Sequence, residues 1–127
     1  MIEDVLKDVL QDAGALGGRV YKLAAPKDAK APFAVYGKAE ENELQDMDGS
    51  TGIWMGSMEL HIFADSYAAL KQTEQAVKAA CRTAEGHSAQ GVLVHELRAR
   101  VAQTEEVLPN TKLEHSELEV FAQWQVS

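Results

Sequence analysis

The spacing of hydrophobic positions changes several times along the chain, and each change marks an element. Ile2, Val5, Leu6, Val9, Leu10 and Ala13 recur at i, i+3, i+4, i+7 with Glu3, Asp4, Lys7, Asp8 and Asp12 between them, which is the stripe of an amphipathic helix. Glu3 and Asp4 fall in its first turn, where the positive end of the helix dipole favours acids, and Gly14 follows as a stop. Gly17 and Gly18 then open a loop. From Arg19 to Lys30 there is little periodicity: one brief strand, Arg19 to Leu23, is available, and Pro26 and Pro32 exclude a central strand between them. That stretch reads as a surface arm.

From Phe33 the period shortens to two. Phe33, Val35, Gly37 and Ala39 alternate with Tyr36, Lys38, Glu40 and Asn42 through to Leu44, as a half-buried strand does. Gln45 to Thr51 contains Asp48-Gly49, a pair that tolerates positive φ and closes hairpins. Ile53 to Phe63 returns as a strand with Trp54, Met58, Leu60 and Ile62 on one side and Ser57, Glu59 and His61 on a wet side. Ser66 caps a second helix that faces inward through Tyr67, Leu70, Thr73, Val77, Ala80 and Cys81 and outward through Lys71, Glu74, Gln75, Lys78 and Arg82. After a polar loop over Glu85 to Gly91, Val92 to Glu106 alternates, with Leu93, Leu97, Ala99 and Val101 opposed to Glu96, Arg98 and Arg100. Pro109-Asn110-Thr111 breaks it, and Ser116 to Val126 puts Leu118, Val120, Ala122, Trp124 and Val126 on one face.

Four alternating strands need something to cover their apolar faces, and two helices each offer one apolar stripe. The expected fold is a two-layer α+β sandwich: a mainly antiparallel four-stranded sheet with both helices on one face, in the order α-(β)-β-β-α-β-β. No repeat or linker divides residues 1–127, so one domain is expected. The two long hairpins are the least apolar near their turns, and such arms reach past the body of a sheet to meet something else.

Composition narrows the function. Twelve basic against 20 acidic residues in 127 give a net charge of −8, which repels a phosphate backbone, so gripping DNA or RNA is not expected. The acidic start Met1-Ile2-Glu3-Asp4 is unlike a secretory signal, and no apolar run of about 18 residues spans a bilayer. With the lone Cys81 unable to form an internal disulfide, a reducing cytosolic site of synthesis and no membrane are expected.

Candidate chemistry is sparse. Gly49-Ser50-Thr51-Gly52 lacks the spacing and setting of a nucleophile elbow, and Gly14-Ala15-Leu16-Gly17-Gly18 follows a helix and lacks the Lys-Ser/Thr of a phosphate loop. His61, His87, His95 and His115 are scattered, so neither a metal centre nor any cofactor is expected. His95 shares a face with Leu93 and Leu97 by alternation and reads as a core or edge histidine; His61 beside Glu59 reads as solvated polarity. Cys81 on an apolar stripe reads as a small hydrophobe. Two readings stand for Glu40, Glu41, Glu43, Asp46 and Asp48 around the hairpin tip, a solvated arm or a functional acidic surface. Two also stand for the neighbouring apolar run Ile53-Trp54-Met55, which together with Leu44 and Met47 suits a subunit interface, although Trp54 equally suits the core.

Taken together, several segments resemble the small phage and prophage tail completion, or tail terminator, family. They are the opening helix; Leu16-Gly17-Gly18-Arg19-Val20-Tyr21; Ala25-Pro26 with Ala31-Pro32-Phe33-Ala34-Val35-Tyr36; Asp48-Gly49 with Thr51-Gly52; Leu60-His61-Ile62-Phe63-Ala64-Asp65-Ser66-Tyr67 leading into an alanine-rich helix; and Leu118-Glu119-Val120-Phe121-Ala122-Gln123-Trp124. The resemblance implies a structural protein without enzyme activity. It would form a homo-oligomeric ring of six copies on the head-proximal end of a tail tube, between tail tube protein and head connector proteins, assembled in the host bacterial cytoplasm and carried in the virion tail. In such a ring the acids from Glu40 to Asp48 would face a lumen through which DNA passes without specific binding. The rival classes are a ligand-binding or regulatory dimer and a small enzyme, for which Trp54, Glu59 and His61 are the residues to inspect.

Overall fold

Period-two alternation builds long strands here, and the two helical stripes close over one side of the sheet they form. The computed structural model describes residues 2–11, 16, 18–46, 49–89, 91–105 and 113–126. Along the chain these are α1 (Ile2–Gln11), β1 (Val20–Lys22), β2 (Phe33–Asp46), β3 (Gly49–Ala64), α2 (Tyr67–Ala84), β4 (Ser88–Ala89), β5 (Val92–Glu105) and β6 (Glu114–Val126). The strands form one sheet in the order β1-β2-β3-β6-β5-β4. β1 runs parallel to β2, and every other pairing is antiparallel. α1 lies against β1, β2 and β3, α2 lies against β3, β5 and β6, and the helices touch each other.

The expected α+β sandwich with two helices on one face is therefore present, but the sheet is mixed and six-stranded rather than four-stranded. The additions are two short edge strands: β1, which falls within the brief strand expected at Arg19 to Leu23 and joins the sheet parallel to β2, and β4, whose two residues are too few to show a period. The stretch 45–51, expected as a loop, is largely strand, with Asp46 paired to Gly49. Gly14 and the Pro109-Asn110-Thr111 break lie outside the described residues.

The core gathers Ile2, Leu6 and Leu10 from α1, Leu70, Val77 and Cys81 from α2, and Leu60, Ile62, Leu97, Leu118 and Val120 from the sheet, all with no exposed surface. Each large apolar side chain removed from water this way is worth about 1.5–3 kcal/mol, so this face fixes the docking of both helices.

Three expectations about facing need correction. In β2 the helix-side residues are Ala34 and Tyr36, whereas Phe33 and Val35 lie on the other face. A bulge at Lys38 and Ala39, with Lys38 at φ 53°, then inserts one residue and reverses the alternation beyond it. In β5 a register shift between Val94 and Glu96 does the same: Val92 and Val94 are buried before it and Leu97 after it, while Leu93 and His95 point outward. His95 Nε2 is 3.0 Å from Gln125 Oε1. Val126, at the end of β6, is also exposed.

In α2, Ser66 caps as expected, its Oγ accepting from the Ala69 N–H at 3.1 Å. Tyr67 is exposed, however, and Glu74 is buried. The helical period places Glu74 on the stripe of Leu70, Thr73, Val77 and Cys81, and its charge is met there: the Ser116 hydroxyl donates to Oε1, and Lys71 Nζ lies 3.2 Å from Oε2. This bond to Glu74 in turn holds Lys71 protonated above its ordinary range.

Candidate functional site

The β2–β3 hairpin carries most of the residues singled out from the sequence. Beyond the Lys38 bulge, Glu40 pairs with Ser57, Glu41 with Gly56, Asn42 with Met55 and Glu43 with Trp54. Glu41, Glu43, Trp54 and Gly56 thus share the helix side, and Glu40, Asn42, Met55 and Ser57 the open side. The acidic group is consequently split between two faces. Glu41 has a structural task that sequence reading missed: its Oε1 accepts the Ile2 backbone N–H at 2.6 Å, at the start of α1. Burial is the largest single influence and opposes its charge, but that bond and the charge of the amino terminus together outweigh it and hold its carboxyl below the ordinary range. Negative charge at the first turn of a helix also complements its dipole.

Ile53, Trp54 and Met55 are half-buried and Leu44 is exposed. Trp54 packs against the core and sits opposite Trp124, while Ile53 and Met55 oppose Gln125 and Gln123 on the open side. The apolar run therefore does occupy both faces. Met47 and Asp48 lie outside the described residues, and for Asp46 only its strand position is described.

The open face of the sheet holds a second group. Strand register sets His61 opposite Glu117 and Phe63 opposite His115, with Glu59 two residues from His61 on the same side. His61 Nδ1 lies 2.8 Å from His115 Nε2, and His61 Nε2 lies 3.3 Å from Glu59 Oε2. Phe33, Phe63, His115 and His61 stack in succession at centroid distances of 4.9, 4.8 and 5.0 Å. Histidines 54 residues apart in the chain are thus in contact, which their sequence spacing conceals. Beside the stack, the segment 23–29 forms the far wall of a largely apolar groove of about 420 Å³, which Phe33, Val35, His61, Phe63 and Leu113 complete. Cys81 takes no part: it is in the core, its thiol pushed up to about 12 by burial and then by the Glu85 charge.

The family described as tail completion protein gp17 matches residues 3–123, nearly the whole chain. The chain belongs to that tail completion family. Among solved structures it is similar to a chain from the virion of a native gene transfer agent particle, with a TM-score of 0.68 and 18% identity, covering 95% of this chain and 92% of that one. No curated protein gives a match.

Membership makes this tail completion protein a structural component of phage tails and not an enzyme, in association with other virion proteins. Among the described residues no helix is long and apolar enough to cross a membrane. Both long inner strands of the tail protein's sheet, β3 and β6, are paired on each side throughout most of their length, whereas β2 beyond Tyr36 and β5 beyond Val94 have a neighbouring strand on one side only among the described residues; Val94 itself bonds Gly86 and His87, and the Leu97 N–H donates to Glu85 Oε2. Two long outer strand edges thus lie on opposite sides of one molecule. Residue patterning alone did not show them, because an edge is a property of strand order.

Proposed function

We propose that this chain, acting as one domain, closes into a homo-oligomeric ring of six copies on the head-proximal end of the tail tube, ends tube growth and seats the head connector. The pair of outer edges, each without a neighbouring strand over most of its length among the described residues, supports the reading. An unpaired strand edge is a template for another strand, and two different edges on opposite sides favour head-to-tail contacts, which close into rings instead of stopping at a dimer.

The hairpin arm supplies the rest. Leu44, Met47, Ile53, Trp54 and Met55 form the apolar part of the contact between copies or with the tube. Glu40, Glu41, Glu43, Asp46 and Asp48 bring negative potential to the lumen, so that DNA passes without adhering. Assembly takes place in the host cytoplasm before the protein enters the virion tail.

The double variant Ile53→Asp/Met55→Asp tests the contact, because both side chains lie on the open face and the core is untouched. The variant is expected to fold, to fail to form rings on tube ends and to leave overlong tails in negative-stain micrographs. Normal rings and normal tails would remove the interface. Replacing Glu40, Glu43 and Asp46 by Lys is expected to retain DNA in the tail and lower infectivity; unchanged infectivity removes the lumen assignment.

A further inference from the structure

The open-face cluster has the composition of a ligand set. We propose that Glu59, His61 and Glu117 bind a divalent transition-metal cation of the zinc class, with His115 as the residue that positions His61. One donor atom from each of the three lies within 4.8 Å of the others. A tetrahedral zinc ion with bonds of about 2.0–2.2 Å sets its ligand atoms about 3.3–3.5 Å apart, so closure asks the two glutamate side chains to move by little more than about 1 Å. They have that freedom. Glu59 is held by His61 Nε2 at 3.3 Å and Lys38 Nζ at 3.7 Å, half-exposed contacts that a cation replaces.

The imidazole is prepared for the role by its other nitrogen. Without an ion, His61 Nε2–H is assigned as donor to Glu59 and His115 Nε2–H as donor to His61 Nδ1; ion binding reverses the second bond, so that Nδ1–H donates to His115 Nε2 at 2.8 Å and the His61 Nε2 lone pair is freed for the ion. His115 is buried and its ring lies between Phe63 and His61, so the acceptor is fixed in place. Two carboxylates balance the charge of a dication, and one imidazole selects transition metals over calcium and magnesium, which prefer all-oxygen sets. Because Glu59 and His61 come from β3 and Glu117 from β6, the ion bridges two neighbouring strands and its remaining coordination positions face outward.

Calorimetric titration of the purified full chain with Zn²⁺, alongside Co²⁺ absorption spectra, tests the site. A single equivalent is expected to bind and to raise Tm, while Ca²⁺ and Mg²⁺ bind far more weakly. His61→Gln and Glu117→Gln should each weaken zinc binding at least tenfold, and His115→Phe, which keeps the ring stack but removes the acceptor, by about 10–100-fold. Should His61→Gln not fold, Glu117→Gln on the solvent side carries the same comparison. No zinc binding by the wild-type chain overturns the proposal. So does equal affinity in the wild type and Glu117→Gln, or Ca²⁺ binding as tightly as Zn²⁺.

Discussion

Substituting Gly56 by alanine probes how closely the hairpin arm is packed onto the sheet. Gly56 is in the middle of β3 on the helix side, where the ring of Trp124 from β6 lies over it. A Cβ there would come 2.7 Å from the Glu40 carbonyl oxygen, 3.1 Å from Trp124 Cη2 and 3.3 Å from Trp124 Cζ3. The first contact is with backbone and no side-chain rotation relieves it, so β2 must move away from β3 at the root of the arm. Overpacking of this kind costs about 1–3 kcal/mol. At roughly 4 °C per kcal/mol for a domain of this size, Tm should fall by about 4–12 °C. Thermal unfolding followed by circular dichroism measures it, and Trp124→Phe in the same background separates the two contacts. Phe lacks the atoms nearest the new methyl, so Gly56→Ala/Trp124→Phe should be less destabilised than the sum of the single variants by about 0.5 kcal/mol or more. A Gly56→Ala protein within about 0.5 kcal/mol of wild type would refute the packing argument.

Glu74→Ala strands the buried Ser116 hydroxyl without its acceptor and should cost about 1–3 kcal/mol in urea unfolding, with Glu74→Gln clearly milder because an amide oxygen still accepts; equal losses would show that the hydrogen bond is not what stabilises this site. Cys81 should react with thiol reagents only as fast as the protein unfolds at neutral pH. Because its folded value of about 12 lies above the ordinary 9.0, its contribution to stability is complete below pH 9.0 and is lost as the pH rises toward 12. A Cys81→Ala variant with the same alkaline limb of stability would contradict this. Glu41 has the opposite sign: its carboxyl is held below the ordinary range, so its contribution is present above that range and is lost as the pH falls through the folded value. Glu41→Gln should flatten the acid limb of the stability curve, and an unchanged limb would place α1 docking elsewhere.

Much of the fold was legible in the sequence because periodicity and capping are local. The stripe of α1, the Ser66 cap, the alternation of β3 and that of β6 as far as Trp124 each lie within a few residues and appear in the structure as read. Facing was lost wherever a bulge changed the count. One extra residue at Lys38 moves Glu41 to the α1 side and Glu40 to the open side, and the shift after Val94 turns His95 away from Leu97. Glu74 shows a different limit, since a charge on an apolar stripe looks misplaced until its partner Ser116, on a strand 42 residues on, is known. The arm residues were singled out because composition marks a hairpin tip. The His61–His115 contact was missed because only the register of β3 on β6 brings those rings together. Resemblance of turns and apolar positions carried the family assignment, which no catalytic signature supports or needs.

Tail length in particles made without this protein tests the central claim most directly. If a ring of this chain stops tube growth and seats the connector, negative-stain micrographs of the deletion should show tubes of variable, excessive length without heads, and restoring the wild-type chain should return uniform, joined tails. Tails of normal length attached to full heads in its absence would contradict the account.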